Sequence, residues 1–203
     1  MGVLDSLKTL NQAIRACTRC RLAETRIHAL CGEGPPDADL LLVAQAPGRV
    51  EDREGRMFIG PSGHVLDELL QSAAIDRRAV YMTNLVKCML PKYRRPKADE
   101  IASCSRWLEG ELALIHPTVV ASLGFFATRF LFGRYGLALP PKAEFSGVYG
   151  RRVAVGDTIL LPLQHPAAVL YNPAIKAVMV RNYRLLGEIF VDLIKIRKRT
   201  RPP

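Results

Sequence analysis

At 203 residues the chain is long enough to bury one well-formed core and too short for two full domains. Hydrophobic residues make up 49% and charged ones 24%, as in ordinary globular proteins, and no apolar run approaches the roughly 20 residues of a helical membrane span. The net charge of +10 and the isoelectric point near 9.7 favour a polyanionic partner, with nucleic acid ahead of a membrane surface.

The first residues, M-G-V-L-D-S-L-K-T-L-N-Q-A-I, have the periodicity of an amphipathic helix rather than of a secretory leader, so the expected setting is cytoplasmic and reducing. Cys17-x-x-Cys20 follows. Alone, that pair fits a zinc knuckle, a redox pair or a turn of helix, but Cys88 and Cys104 add two further thiols from mid-chain. Four converging thiolates would staple the first helix to the body of the domain around a metal centre. Cys31, just before an apolar run, reads as a core or loop thiol.

Apolar runs of strand type then alternate with helical periodicity. Strands are expected at 40–45, 80–84, 119–123 and 159–164, and helices at 63–74, 98–115, near 125–132 and near 174–196. A Pro- and Gly-rich stretch at 137–152 reads as loops with room for an edge hairpin. The alternation implies one domain over 1–203: a three-layer α/β/α sandwich around a central, mostly parallel four-stranded sheet, ending in a basic tail from about residue 195. Ligands of such sheets bind beyond the carboxyl ends of the strands. Those ends carry Gln45-Ala46-Pro47-Gly48, Asn84, Gly124 and His165-Pro166. A second basic cluster, Lys92 to Lys97, lies close to Asn84 and Cys88.

With these pieces in view the chain resembles the family 4 uracil-DNA glycosylases, the iron-sulfur branch of that superfamily. The resemblance rests on C-T-R-C at 17–20, A-Q-A-P-G-R-V-E-D at 44–52, G-R-M-F-I-G-P-S-G at 55–63, T-N-L-V-K-C at 83–88, Cys104 and H-P-A-A-V-L at 165–170. It implies that Cys17, Cys20, Cys88 and Cys104 hold a structural 4Fe-4S cluster, with zinc as the other occupant of a four-thiolate site. The implied substrate is uracil-containing DNA, single- or double-stranded, taken by a monomer that extrudes the base and hydrolyses its N-glycosidic bond. Phe58 would be the floor under the base, Asn84 the amide that tells uracil from cytosine, and Glu51 the group that crowds C5 against a thymine methyl. His165 would stabilise the leaving base and form the catalytic set with Asn84 and Gln45, Gln45 holding uracil and water by side-chain and backbone contacts while Ala46 and Pro47 complete the wall. Ala168, Val169 and Leu170 would form a wedge in the duplex, while Lys87, Lys92, Arg94 and Arg95 would meet phosphates.

Two departures stand out. The family's usual G-E-A-P-G reads Ala44-Gln45-Ala46-Pro47-Gly48 here, so a neutral amide replaces a carboxylate that could orient water or face a cationic sugar. Tyr171 occupies a position where the family often has Arg. The altered first motif keeps open a same-fold glycosylase for another deaminated base. A non-catalytic iron-sulfur DNA-binding protein and a zinc-stabilised nucleic-acid module are the other readings.

Overall fold

The computed structural model describes residues 2–200, with side chains described as far as residue 193. The basic tail expected from about residue 195 therefore falls outside the described side chains.

Strands β1 (Leu40–Ala44), β2 (Val80–Asn84), β3 (Val119–Leu123) and β5 (Thr158–Leu163) lie parallel, and a short β4 (Val153–Val155) pairs antiparallel with β5. The sheet order is β2-β1-β3-β5-β4. It has five strands, not the expected four. The extra strand is the first arm of a hairpin through Gly156, just beyond the stretch where a hairpin had room, and it closes one edge of the sheet.

β1, β2 and β3 are buried along their whole length, which requires cover on both faces and explains their near-continuous apolar sequences. Side chains alternate between the two faces. Leu40 and Leu42 join Leu66 and Leu70 of α3 (Pro61–Ser72) and Tyr183 and Leu186 of α7 (Lys176–Thr200) in one core. Leu41 and Val43 join Ile14 of α1 (Val3–Arg15), Leu108 of α4 (Ala98–Ile115) and Leu131 of α5 (Phe125–Arg134) in the other. The three layers are those the alternation implied. No helix among the described residues is long and apolar enough to cross a membrane.

The register gathers the strand ends. Ala44 pairs with Asn84 and Leu123 with Leu163, so Gln45, Asn84, Gly124 and His165 emerge along the same sheet edge. Gly124 has φ +85°, and a Cβ there would come within 3.2 Å of His165 Cβ. A glycine is what lets the His165 segment pass so close.

Candidate active site

At this edge a cavity of about 290 Å³ opens to solvent, near the lower end of the range for small-molecule sites. Gln45, Ala46, Pro47, Glu51, Phe58, Asn84 and His165 all line it, brought together from five separate stretches of chain. Ser62, Tyr93, Arg94 and Tyr171 also line it, and of these only the Arg94 and Tyr171 positions drew comment from sequence.

His165 stands against Phe58 with ring centroids 6.2 Å apart and planes inclined by 31°. Its Nδ1 accepts the backbone N–H of Ala167 at 3.1 Å, so the neutral ring carries its proton on Nε2. Burial pulls its pKa down to about 4, because the imidazolium would lose its hydration there. The residue is thus a fixed, neutral Nε2–H donor at physiological pH.

Phe58 has φ +51°, a left-handed conformation that costs a bulky residue energy and persists only where its surroundings hold it. The holder is Arg77, whose Nη2 donates to the carbonyls of Met57 (3.0 Å) and Phe58 (3.1 Å). Glu33 adds an acceptor for the Met57 N–H at 2.9 Å. Neither residue carries a sequence signal for this task, since each acts on backbone about 20 residues away.

Asn84 is 2% exposed, and its Nδ2 donates to the thioether sulfur of Met57 at 3.2 Å. A thioether is a weak acceptor, so a ligand carbonyl can compete for the amide while Oδ1 accepts from a ligand N–H. Glu51, at the start of α2 (Arg49–Glu54), accepts the Gly60 N–H at 2.8 Å through Oε1. Its Oε2 lies where a Cβ on Gly48 would come within 2.4 Å, so the glycine makes room for the carboxylate. Glu51 is the only acid among the described residues lining the cavity.

A second, small cavity is lined by Cys17, Cys20, Cys88 and Cys104 together with Arg26, Lys87 and Trp107. The Arg26 guanidinium donates to Cys88 Sγ at 3.3 Å and the Lys87 backbone N–H donates to Cys104 Sγ at 3.2 Å. Burial nonetheless raises the Cys88 pKa and pushes that of Cys104 up to about 12. The Trp107 indole N–H is buried without a partner among the described residues. Among the described residues no group of three His, Cys, Asp or Glu is set to hold a single metal ion. Cys31 lies apart from the four, donating to the Asn11 carbonyl at 3.4 Å on the edge of the second core.

Three expectations for DNA contacts change. Lys87 is 1% exposed and its Nζ bonds Glu111 and Thr83, each at 2.6 Å, so it cannot reach a phosphate. It is the cation of a buried cluster in which Thr83 Oγ1 and the Gly32 N–H also bond Glu111, at 2.7 and 3.0 Å. Arg94 is committed to the buried Glu100 through two bonds of 2.5 and 2.8 Å and so anchors the loop rather than offering a free charge. In α6 (Ala168–Tyr171), Ala168 and Val169 pack against the first core, which leaves Leu170, 48% exposed, as the projecting apolar group. Lys92 and Arg95 are exposed, as a phosphate contact requires.

Arg26 and His28 are structural. Arg26 also donates to the Arg15 carbonyl, and His28 bonds Asp52 through Nδ1 (2.7 Å) and its backbone N–H.

The uracil DNA glycosylase superfamily model matches residues 31–190. The chain is 33% identical over 190 residues to the type-4 uracil-DNA glycosylase of Sulfurisphaera tokodaii, covering 93% of this chain and 86% of that protein. Against the type-4 uracil-DNA glycosylases of Saccharolobus solfataricus and Archaeoglobus fulgidus, identity is 35% and 34%, covering 91% and 92% of this chain and 87% and 94% of theirs. With its fold, its strand-end cavity and relatives matched along nearly their full length, the chain belongs to the uracil-DNA glycosylase superfamily and groups with its type-4 members.

Proposed function

We propose that the protein is a DNA-repair glycosylase that extrudes uracil from DNA and hydrolyses its N-glycosidic bond, leaving an abasic site. The observation that carries this reading is the convergence of Phe58, Asn84 and a neutral His165 on one base-sized cavity.

In this reading the extruded uracil stacks on Phe58. Asn84 Oδ1 accepts from uracil N3–H while Nδ2 turns from Met57 to uracil O4; cytosine presents the opposite pattern and is refused. Glu51 occupies the space a thymine methyl would need. As the C1′–N1 bond breaks, its electron pair passes to the base and charge grows on O2. His165 Nε2–H stabilises that charge, a contact that strengthens in the transition state and so lowers the barrier. Water adds to C1′ and loses its proton, and the uracil anion leaves to be protonated. Gln45 has no carboxylate with which to take that proton, so leaving-group stabilisation bears more of the rate. Lys92 and Arg95 supply phosphate contacts and a salt-dependent affinity. A monomer acting on DNA in the cytoplasm is part of the proposal.

The four cysteines fit a 4Fe-4S cluster: an all-thiol donor set lines one cavity, two N–H groups point at sulfur, and a buried indole N–H lacks an acceptor among the described residues. When bound, the cluster would supply positive charge that holds the four thiols, two of them buried, ionised and ties the segment after α1 to the end of β2 and to α4. Iron and acid-labile sulfide in equal amounts, with visible absorbance, would support it; stoichiometric zinc in a colourless protein would replace it.

The direct experiment is release of uracil from a single-stranded oligonucleotide, scored as alkali-sensitive breaks, beside Asn84→Ala and His165→Ala. Breaks that vanish in both variants are the expected result. A cluster-bearing protein that binds the oligonucleotide without making breaks would overturn catalysis, and breaks only at another deaminated base would redirect the substrate.

A further inference from the structure

Two large aromatic side chains stand almost bare at the mouth of the cavity. Tyr93 is 71% exposed and Tyr171 is 88% exposed, yet both line the same opening. Most other aromatic groups of the chain are packed into the two cores or against them. Isolated exposed rings are common enough, but two rings that meet at one cavity rim mark a surface with a purpose.

Neither ring sits on a loose segment. Tyr93 and its neighbour Lys92 both adopt left-handed backbone, with φ of 54° and 53°. Two successive residues with side chains in that region are strained, and such strain survives only where neighbouring structure imposes it. Here Arg94, gripping buried Glu100, fixes the loop from behind. Tyr171 closes α6, next to exposed Leu170, and the turn after it is pinned by Asn172, whose side chain accepts the Ala174 N–H at 3.2 Å. The backbone that carries each ring is therefore set in advance, which leaves only the side-chain rotamers to order on contact. Exposed Lys92 and Arg95 place cationic groups on the Tyr93 loop, beside a rim that would meet a polyanion.

We propose that Tyr93 and Tyr171 stack on the bases that flank the extruded nucleotide, and that the chain thereby favours uracil in single-stranded DNA. This rests on the glycosylase reading above. A ring face needs a base face, and in a duplex the neighbouring bases are already stacked and paired. The one gap left by an extruded base in a duplex is a place for Leu170. Two further rings find partners only where the flanking bases are free to unstack, as in a single strand. Stacking of this kind is tolerant of sequence, because every base has a face to offer.

The test compares wild type with Tyr93→Ala, Tyr171→Ala and the corresponding Phe variants on three substrates. These are a single strand carrying one deoxyuridine, the same strand with base-less tetrahydrofuran residues on either side of it, and a duplex. We expect each Ala variant to raise KM on the ordinary single strand by roughly tenfold with kcat little changed, and the Phe variants to recover most of that loss. On the strand lacking flanking bases the wild type is weakened already and the Ala variants add nothing further. Ala variants that match wild type on the ordinary single strand overturn the proposal, as do losses of equal size with and without flanking bases. Equal losses on single strand and duplex overturn the strand preference. Anisotropy of a labelled single strand carrying 2′-fluorodeoxyuridine, which resists cleavage, reports the same contacts as binding. A wild type that releases no uracil would sink the glycosylase reading, while the anisotropy series still decides whether the tyrosines stack on flanking bases.

Discussion

Asn84 lines the base-sized cavity and Cys88, four residues on, lines the sulfur cavity, yet the two surroundings treat polar groups in opposite ways. In the first, each group is held in the state a ligand needs: His165 neutral with its proton on Nε2, and the Asn84 side-chain N–H donating to a weak thioether acceptor. In the second, burial holds Cys88 and Cys104 in the protonated state, which is the wrong one for a metal ligand. One cavity is complete as folded. In the other, burial works against ionised thiols, so a bound group would have to supply positive charge before they could act as ligands. Lys87 lies between them in sequence, joined to the sulfur side by its backbone N–H and, through its Nζ, to Thr83 of β2 and Glu111 of α4.

The largest effect should come from cutting that joint. Lys87→Met leaves the Glu111 carboxylate buried against Thr83, Tyr81 and Gly32 without its cation. Breaking one side of such a pair costs about 3–5 kcal/mol. A denaturant melt should show a loss of that order, and Lys87→Met with Glu111→Leu should recover part of it, because neither charge is then stranded. A melt within about 1 kcal/mol of wild type for the single variant would mean that water reaches Glu111.

Next in size is a change confined to the base cavity. His165→Ala should lower kcat/KM for uracil release by roughly 10²–10³, the cost of removing one donor to a developing anion. Because the imidazole's one hydrogen bond among the described residues is the weak backbone one from Ala167, the melting transition should move far less than in Lys87→Met. Unequal damage to rate and stability here, set against the Lys87 result, would separate the two regions cleanly. If His165→Ala instead unfolded the protein, the cavity would not be the preformed unit inferred above. A third change is smaller and opposite in sign. Gln45→Glu restores a carboxylate at the strand end and should raise kcat on the order of tenfold, about 1.4 kcal/mol. An unchanged rate would show that handling of water is not limiting.

Much of this organisation is legible in the sequence because its strands are apolar throughout and its motifs sit at strand ends. β4 escaped notice since three half-exposed residues, Val153–Val155, make no apolar run. α2 escaped because R-V-E-D-R-E has no helical periodicity. Lys87 was misread for a deeper reason. A lysine beside a basic loop reads as solvent-facing unless its partner is known, and Glu111 lies about one turn from the end of a helix whose inward face depends on the tertiary packing. The Arg77 clamp on Phe58 is hidden likewise, because a guanidinium that bonds two carbonyls leaves no trace in residue spacing.

The smallest expected effect is an absence of change, and it tests the base cavity most directly. An ordinary histidine titrates near 6.5, so a catalytic donor of that kind would give the rate an acidic limb around that pH. His165 titrates near 4, and the state present above that value is already the donor. The kcat of uracil release should therefore stay level with respect to this group from neutral pH down to about pH 5. The same shift has a stability counterpart. The depressed pKa means that the unfolded chain takes up a proton near 6.5 while the native state refuses it until about 4, so native stability declines as pH falls through that window. Replacing His165 with Asn, which keeps an N–H donor and removes the titration, should flatten that part of the stability profile. A wild-type rate that falls by half at pH 6.5, with the fold intact, would mean that water solvates the imidazolium and that the cavity is not closed enough to hold the ring neutral.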